Sequence, residues 1–339
     1  MGLLIEKNVS LAEHTTLKVG GAADYLVEVR TVEELVEGLR FAQQTATLPL
    51  IIGSGSNILV SDAGYHGLVI KNLITGVIYD TSDQDKVLLT CGAGEQLDTV
   101  IADTVARGYW GLENLSAIPG TIGATPIQNV GAYGVEVSSL ITSVEAVQAD
   151  TLEVKKFTNA ECQFGYRDSF FKTPLGKKWA VTKVTFNLSK KISPQLEYKD
   201  LISLKEIKNI SSMQIRNEVI NIRSKKFPDW HRVGTAGSFF KNPIIKNEVY
   251  EKLKVEWPDL PGYPASETET KVALGWVLDK VCNLKGFCRD GVCLYEQQAL
   301  VLVNIGSQSA EAIIKFENFV IDEVNKKTGI AIEPEVLHV

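Results

Sequence analysis

Pro49-Leu-Ile-Ile-Gly-Ser-Gly-Ser-Asn57 is the stretch that decides between fold classes. Its first four residues read as a buried strand running straight into a loop. There the glycines expose consecutive N–H groups, and Ser54, Ser56 and Asn57 add donors, a pattern suited to cradling a phosphate. The alternative is a tight turn without a ligand. A dinucleotide-binding Rossmann unit is disfavoured, because it needs a third glycine and a helix directly after the loop. Ile58 to Ile70, with Gly64 and Gly67, is instead strand-like.

Upstream, Thr31-Val-Glu-Glu34 forms a capping box and Val32, Leu35, Val36 and Leu39 recur at helical spacing, which predicts a helix over about 31–44. Downstream, Val87 to Cys91 predicts a short strand, and Leu97, Val100, Ile101 and Val105 one face of a helix. A second glycine-rich region then runs from Gly111 to Gly134, with prolines at 119 and 126. Its low charge and interleaved Ile and Val imply burial, and buried backbone groups need partners. Either the loop wraps a large cofactor, its N–H groups meeting phosphates and ring edges, or it is merely irregular.

From Leu140 to Leu188 the pattern is β-rich, with Val184, Phe186 and Leu188 alternating at its end. Inside it, Phe164-Gly-Tyr-Arg-Asp-Ser169 holds Arg167 between an aromatic and an aspartate. That is either a fork for a carboxylate or phosphate or a surface Arg-Asp pair. Ser212 can cap a helix carrying Ile215, Val219 and Ile222 that ends before Pro228. The exit of that helix bears Arg223, Lys225, Lys226, His231 and Arg232; the helix dipole favours cations there, and an anionic substrate would use them too.

This basic run delivers the chain to Gly234-Thr-Ala-Gly-Ser-Phe-Phe-Lys-Asn-Pro243. Gly234 and Gly237 admit close backbone approach, Phe239 and Phe240 supply apolar walls behind Ser238, and Lys241 and Asn242 can meet anionic or polar groups. An ordinary glycine turn entering a strand is the alternative. Beyond it come a proline-rich turn from Pro258 to Pro264, a helix with Val272, Trp276 and Val277 on one side, and a buried strand over 299–303. Ser309 opens a last helix that Gly329 ends. Residues 330–339 read as a strand with Ile330, Ile332 and Val336 on one face and Glu333, Glu335 and Leu337 on the other. Pro334 removes a ladder donor and marks an edge or bulge. Only four residues follow Glu335, so no tail is expected to support it.

At 339 residues the chain predicts two or three domains, and 45% apolar with 22% charged residues describes a soluble globular protein. A net charge of −6 disfavours wholesale binding to nucleic acid or to an anionic membrane. The N-terminus has charges inside its apolar patch and no small-residue cleavage site, and no apolar run approaches the roughly 18 residues of a spanning helix. A cytosolic location is the resulting expectation. Five cysteines without a CxxC pair suit neither zinc nor a disulfide framework and are expected as small buried hydrophobes. Four histidines without ligand spacing predict no metal site and little material for a Ser-His triad.

Taken in order, Ile51-Ile-Gly-Ser-Gly-Ser-Asn57, Ile118-Pro-Gly-Thr-Ile-Gly123 through Gln128-Asn-Val-Gly-Ala-Tyr-Gly134, Phe164-Gly-Tyr-Arg-Asp-Ser169, Ala236-Gly-Ser-Phe-Phe-Lys-Asn-Pro243 and Glu333-Pro-Glu-Val336 resemble the UDP-N-acetylenolpyruvoylglucosamine reductase family, type I. The resemblance runs from about residue 14 onward. It implies an α+β fold: an FAD-binding fold of the vanillyl-alcohol-oxidase/PCMH type with an additional α+β substrate-binding domain. Subdomain 1 would span 1–72 and be completed by a strand within 323–339, subdomain 2 would span 73–227, and the substrate-binding domain 228–322. It further implies FAD as cofactor, NADPH as co-substrate, and reduction of UDP-N-acetylglucosamine enolpyruvate to UDP-N-acetylmuramate in the cytoplasm, by a monomer.

By position, Ser238 corresponds to the proton donor, Arg167 to the arginine on the enolpyruvyl carboxylate, and Glu335 to the glutamate completing the site. Flavin contacts fall on Gly53, Ser54, Gly55, Ser56, Asn57, Ile118, Pro119, Gly120, Gly123, Ala124, Gln128, Asn129, Gly131, Ala132, Tyr133 and Gly134. Substrate contacts fall on Tyr166, Tyr198, Lys226, Asn242, Tyr263 and Gln297, with Lys226 and Tyr198 near the diphosphate. One departure is that Tyr295 and Glu296 stand before Gln297, where many relatives place a histidine. Two rivals remain. A flavin oxidase using O₂ would keep both glycine loops without needing Arg167, Ser238 and Glu335 together, and a nucleotide-sugar sensor would leave a proton donor idle.

Overall fold

The computed structural model describes residues 3–307 and 309–339, which form two compact units. One comprises residues up to Val9, Ala23–Gly55 and His66–Arg223; the other comprises Ser10–Ala22, Ser56–Tyr65 and Ser224–Val339.

In the first unit, Thr31 caps the helix Val32–Gln44 by accepting the Glu34 N–H at 3.1 Å, while Glu34 Oε2 accepts the Arg30 N–H at 2.6 Å. Orphan donors at the helix start are thereby satisfied. Leu35, Leu39 and Ala42 bury against Val27, Leu68 and Ile70 of a four-stranded sheet. Its order is Ile5–Ser10, Ala22–Val29, Tyr65–Asn72, Leu48–Ile52, the last pair running parallel. Leu48–Ile52 does lead into the glycine loop, and strands come after it (Ile58–Leu59 and Tyr65–Asn72) where a Rossmann unit would place a helix.

A second, antiparallel sheet in this unit has the order Val154–Thr158, Ile141–Gln148, Trp179–Ser189, Lys86–Gly92, Val77–Asp80. Val184, Phe186 and Leu188 alternate inward as predicted, and the helix Leu97–Ala106 covers this core with Leu97, Val100, Ile101 and Val105. Ile215, Val219 and Ile222 of the helix Ser212–Lys226 bury against Trp110, Tyr133 and Leu201. Its cap is Ser211, not the expected Ser212: Ser211 Oγ accepts the Gln214 N–H at 3.2 Å, and Gln214 Oε1 accepts the Ser211 N–H at 2.9 Å. The glutamine three residues on selects between the tandem serines.

In the second unit the helix Ala310–Thr328 starts at Ser309 and stops at Gly329, whose φ is +68°. Ile313, Phe316, Val320 and Val324 pack with Phe239, Phe240, Leu274 and Leu302. One sheet has the order Gly234–Ser238, Val301–Asn304, Val292–Leu294, Cys288–Arg289; another has Ile244–Lys246, Glu269–Val272, Gly262–Pro264. Val272 therefore ends a central strand where a helix was expected, and helical turns begin only at Leu274. Pairing on both sides overrides the local periodicity.

Residues 330–339 are also not one strand. Pro334 makes a single bridge to Phe240, and only Leu337–His338 pairs, parallel, with Ile58–Leu59. The predicted faces persist, with Ile330, Ile332 and Val336 buried and Leu337 exposed.

Cys91, Cys162 and Cys282 are buried as expected, and burial pushes the thiols of Cys91 and Cys162 up to about 12. Cys288 and Cys293 overturn the expectation. An Asp290-Gly291 turn with positive φ at both positions folds them into register across a hairpin, where they form a disulfide. Among the described residues no helix is long and apolar enough to cross a membrane.

Candidate active site

The two glycine-rich loops of the first unit touch. A Cβ on Gly53 would lie 2.2 Å from Thr121 Oγ1, so only glycine lets residues 53–55 pass the second loop. Next to it, Ser54 Oγ is buried without a hydrogen-bond partner. That orphaned hydroxyl sits where the sequence predicts a phosphate cradle.

The second loop is held mainly by protein groups. Ile122 and Gly123 donate their N–H groups to Glu95 O and Ala93 O at 2.8 Å, and Leu97 donates to Gly120 O at 3.0 Å. A Cβ on Gly123 would meet Ala93 Cβ at 2.6 Å, so the glycine also serves packing. Ala117, with φ +59°, donates to Asp98 Oδ1 at 2.6 Å, and Asp98 takes both arms of Arg216 at 2.6 and 2.9 Å. Burial raises the Asp98 pKa, yet Arg216 and the Ala117 N–H outweigh it and hold the carboxyl below its ordinary value. At the loop's far end Gly131–Ala132 pairs with Val135–Glu136 around Tyr133 and Gly134, both at positive φ.

Glu113 and Asn114 escape a motif-based reading, and Arg223, expected only as a cation at a helix exit, joins them in this region. Glu113 is fully buried: Oε2 accepts the Gly111 N–H at 2.7 Å, Oε1 has no partner, and burial pushes the carboxyl up despite that bond. Asn114 donates to Tyr133 O and Gln195 O, both at 2.8 Å. Arg223 donates to Ala117 O at 3.2 Å and meets the Tyr133 hydroxyl, and its burial lowers the guanidinium pKa. The available signal for Glu113 and Asn114 is their polarity inside an apolar glycine run. Tyr133 in turn meets Tyr198 edge-on at 5.3 Å, which brings a predicted substrate residue to a predicted flavin residue.

Phe164–Ser169 is tied to the same loop. Asn129 Nδ2 donates to Gly165 O at 2.9 Å and to Glu136 Oε2 at 2.8 Å. Arg167 adopts φ +53°, lies 5.6 Å from the Tyr166 ring, and donates from Nη2 to Gly131 O at 2.8 Å. Asp168 Oδ1 accepts the Ser169 N–H at 2.9 Å.

In the second unit, Gly234 and Thr235 pair with Asn304 and Val303, and then the register slips so that Ser238 faces Val301. The bulge falls on Ala236-Gly237, with Gly237 at φ +73° and open space where its Cβ would be. Bulges re-aim side chains, and here the re-aimed residue is Ser238, half-buried at the strand end. Behind it Phe239 and Phe240 are fully buried, their rings 5.2 Å apart.

Glu333-Pro-Glu335 lies antiparallel along this segment: Glu335 N–H donates to Phe239 O at 2.8 Å and Lys241 N–H to Glu333 O at 3.1 Å. The structure thus brings Ser238 and Glu335 onto neighbouring segments, although 97 positions separate them. Lys241 Nζ pairs with Glu333 Oε1 at 2.8 Å, and Asn242 Oδ1 accepts the Leu274 N–H at 3.0 Å. Contrary to expectation, the residues after Glu335 do support it. Leu337 N–H donates to Asn57 O at 3.0 Å, Val339 N–H to Leu59 O at 2.9 Å, and Asn57 Nδ2 to Glu335 O at 3.3 Å. Ser56, Lys226, Tyr263 and Gln297 also belong to this unit, Tyr263 and Gln297 being exposed, whereas Arg167, Tyr166 and Tyr198 belong to the first.

Comparison with known proteins places this geometry in context. Residues 23–155 match the model of an FAD binding domain, and residues 229–339 match that of the UDP-N-acetylenolpyruvoylglucosamine reductase C-terminal domain. The UDP-N-acetylenolpyruvoylglucosamine reductase of Photobacterium profundum is 38% identical over 98% of this chain and 95% of its own length. Those of Porphyromonas gingivalis and Escherichia coli are each 37% identical, over 99% and 97% of this chain and 99% and 95% of theirs. The solved reductase of Thermus caldophilus shares the fold, with a TM-score of 0.69 at 24% identity and 99% of both chains covered.

Proposed function

Because the chain belongs to the UDP-N-acetylenolpyruvoylglucosamine reductase family, we propose how its own residues perform that family's reaction. The protein is an FAD-dependent oxidoreductase that uses NADPH to reduce UDP-N-acetylglucosamine enolpyruvate to UDP-N-acetylmuramate, a step of peptidoglycan synthesis. Its residues fit the flavin. The buried, unpartnered Ser54 hydroxyl lies in a glycine loop whose strand-loop-strand setting suits a phosphate, and the 111–134 loop is pre-built beside it. Gly53, Ser54, Gly55 and the flavin-contact residues between Ile118 and Gly134 would hold it, with Ser56 and Asn57. When bound, FAD supplies the hydride, taken from NADPH, that reduces the vinyl carbon of the enol ether.

Arg167 stabilises the negative charge as it spreads into the substrate carboxylate, where a fixed cation contributes most. Ser238 then delivers the proton to the neighbouring carbon; a hydroxyl is a weak acid, but an enolate-like carbon is a strong enough base for a held hydroxyl to serve. Glu335 supplies the second polar group on that carbon's side. Tyr166, Tyr198, Lys226, Asn242, Tyr263 and Gln297 bind the nucleotide sugar, Lys226 and Tyr198 at its diphosphate. In this reading 1–72 with 323–339 and 73–227 serve the flavin and 228–322 the substrate, in a cytoplasmic monomer.

The observation that carries the reading is the pairing of Glu335 with Phe239 beside the bulge that aims Ser238. Stopped-flow measurement of the two half-reactions tests it. Ser238→Ala is expected to leave flavin reduction by NADPH nearly intact and to slow reoxidation by the enolpyruvyl substrate by about 10²–10⁴-fold, the span of general acid catalysis. Equal impairment of both half-reactions would refute the assignment.

A further inference from the structure

The residues after Glu335 are anchored by a side-chain pair that the reaction chemistry does not itself require. His338 Nε2 lies 2.9 Å from Glu317 Oε2, and Glu317, on the helix Ala310–Thr328, is 4% exposed. A carboxylate in such a place needs a charged or donating partner. The nearby Glu317 carboxylate raises the His338 pKa above its ordinary value against the opposing effect of burial; Oε2 makes no hydrogen bond of normal geometry, so the contact is a charge pair that favours the imidazolium.

Backbone hydrogen bonds carry this anchor to the site. His338 lies in the strand Leu337–His338, whose partners are Asn57, Leu59 and, through Val339 O, Ser61 N–H at 2.8 Å. Glu335 is two residues upstream of that strand's start. Its own N–H is fixed to Phe239 O, and its carbonyl takes the Asn57 amide. The helix that bears Glu317 is tied to the same stretch from its other end, because Asp62 accepts the Ala310 and Glu311 N–H groups at 2.7 and 2.9 Å. Residues 57–62, the strand 337–338 and the helix therefore form a closed frame, with the Glu317–His338 pair joining two of its members.

We propose that Glu317 and His338 are positioning residues of this enzyme: their ion pair fixes the strand that holds Glu335 beside Ser238. The proposal rests on the role given to Glu335 in the second half-reaction. Neither residue touches the reacting atoms, and the pair acts through the backbone between His338 and Glu335. Losing it leaves flavin reduction unaffected and misplaces Glu335 when the reduced flavin meets the enolpyruvyl substrate.

The test compares His338→Leu, His338→Gln, the double variant E317M/H338L and Glu335→Gln as flavin-loaded full-length proteins, by stopped flow in both half-reactions. His338→Leu is expected to slow reoxidation by about 10- to 100-fold, the scale of a misplacement of up to ~1 Å, with reduction by NADPH within about twofold of the parent. His338→Gln keeps a donor near the same place and is expected to recover most of that rate. Should His338→Leu fail to fold over its uncompensated buried carboxylate, E317M/H338L removes the charge as well.

A positioning role predicts that the double variant folds yet still reoxidises slowly. Normal reoxidation in the double variant, absence of rescue by His338→Gln, or equal slowing of both half-reactions overturns the proposal. If Glu335→Gln is slow while E317M/H338L is normal, only the positioning role fails. If Glu335→Gln itself reoxidises at the parent rate, the assignment of Glu335 fails first and takes this proposal with it.

Discussion

Adding one methyl group at residue 53 is expected to weaken the enzyme's hold on its flavin. In Gly53→Ala the new Cβ would lie 2.2 Å from Thr121 Oγ1, 3.1 Å from its Cγ2 and 3.2 Å from its Cβ. Thr121 is 3% exposed, so its side chain has little room to turn away. Overpacking of this kind costs roughly 1–3 kcal/mol. Relief comes by moving the 53–55 loop off the second glycine loop, which is the geometry assigned to the cofactor. If the whole cost falls on binding, FAD affinity drops by about 5- to 150-fold at 1.4 kcal/mol per tenfold. Titration of apoprotein with FAD, followed by flavin fluorescence, measures this directly. Thr121→Ala removes the two nearest atoms and leaves only the 3.2 Å contact, so G53A/T121A is expected to bind within about threefold of the parent. Parent affinity in Gly53→Ala, or a double variant as weak as the single one, would refute the steric argument.

Three further outcomes concern stability. Burial raises the Glu113 carboxyl pKa above its unfolded value, so folding favours the protonated form and stability falls as pH rises through that raised value. Glu113→Gln keeps the shape without the charge and should show a flatter dependence of denaturant midpoint on pH from about 4 upward; an unchanged slope would remove Glu113 as its source. Asp62→Ala deletes the acceptor for Ala310 N–H, Glu311 N–H and the Ser309 hydroxyl and should lose about 1–2 kcal/mol in denaturant unfolding. Burial raises the Asp62 pKa, but those bonds outweigh it and the net value is lowered, so its stabilisation is present above the unfolded value of 3.8 and lost as pH falls through the folded one. Asp62→Asn should therefore be less acid-sensitive than the parent.

Features carried by near neighbours were legible in the chain alone. Thr31 with Glu34 announces a helix start, Ser309 and Gly329 bracket another, and the absence of a helix after Asn57 rules out the commonest nucleotide fold. The joining of Ser238 to Glu335 was legible only through family resemblance, because the hydrogen bond from Glu335 to Phe239 is a tertiary contact that leaves no local pattern. The same holds for Asp62 capping a helix that begins at residue 310, and for His338 reaching Glu317. Val272 misled because apolar spacing cannot distinguish a helix from a short central strand. Cysteine spacing alone does not reveal the Cys288–Cys293 bridge, because the Asp290-Gly291 turn between the two cysteines is what brings them into register.

The interleaving of the second unit bears on how the protein is made. Leu17, Val19 and Leu59 leave the ribosome early, yet the other buried members of their core cluster begin at Phe239 and end at Val336. At roughly 5–20 residues per second, Leu59 waits roughly 14–55 s for Val336 to be synthesised. The residues up to Val9, 23–55 and 66–223 can meanwhile assemble as the first unit. Biogenesis therefore has a fixed order, in which the nascent chain carries apolar anchors of the serine-bearing half while that half is still being translated, and an arrest anywhere before residue 330 leaves them open to chaperones or to aggregation.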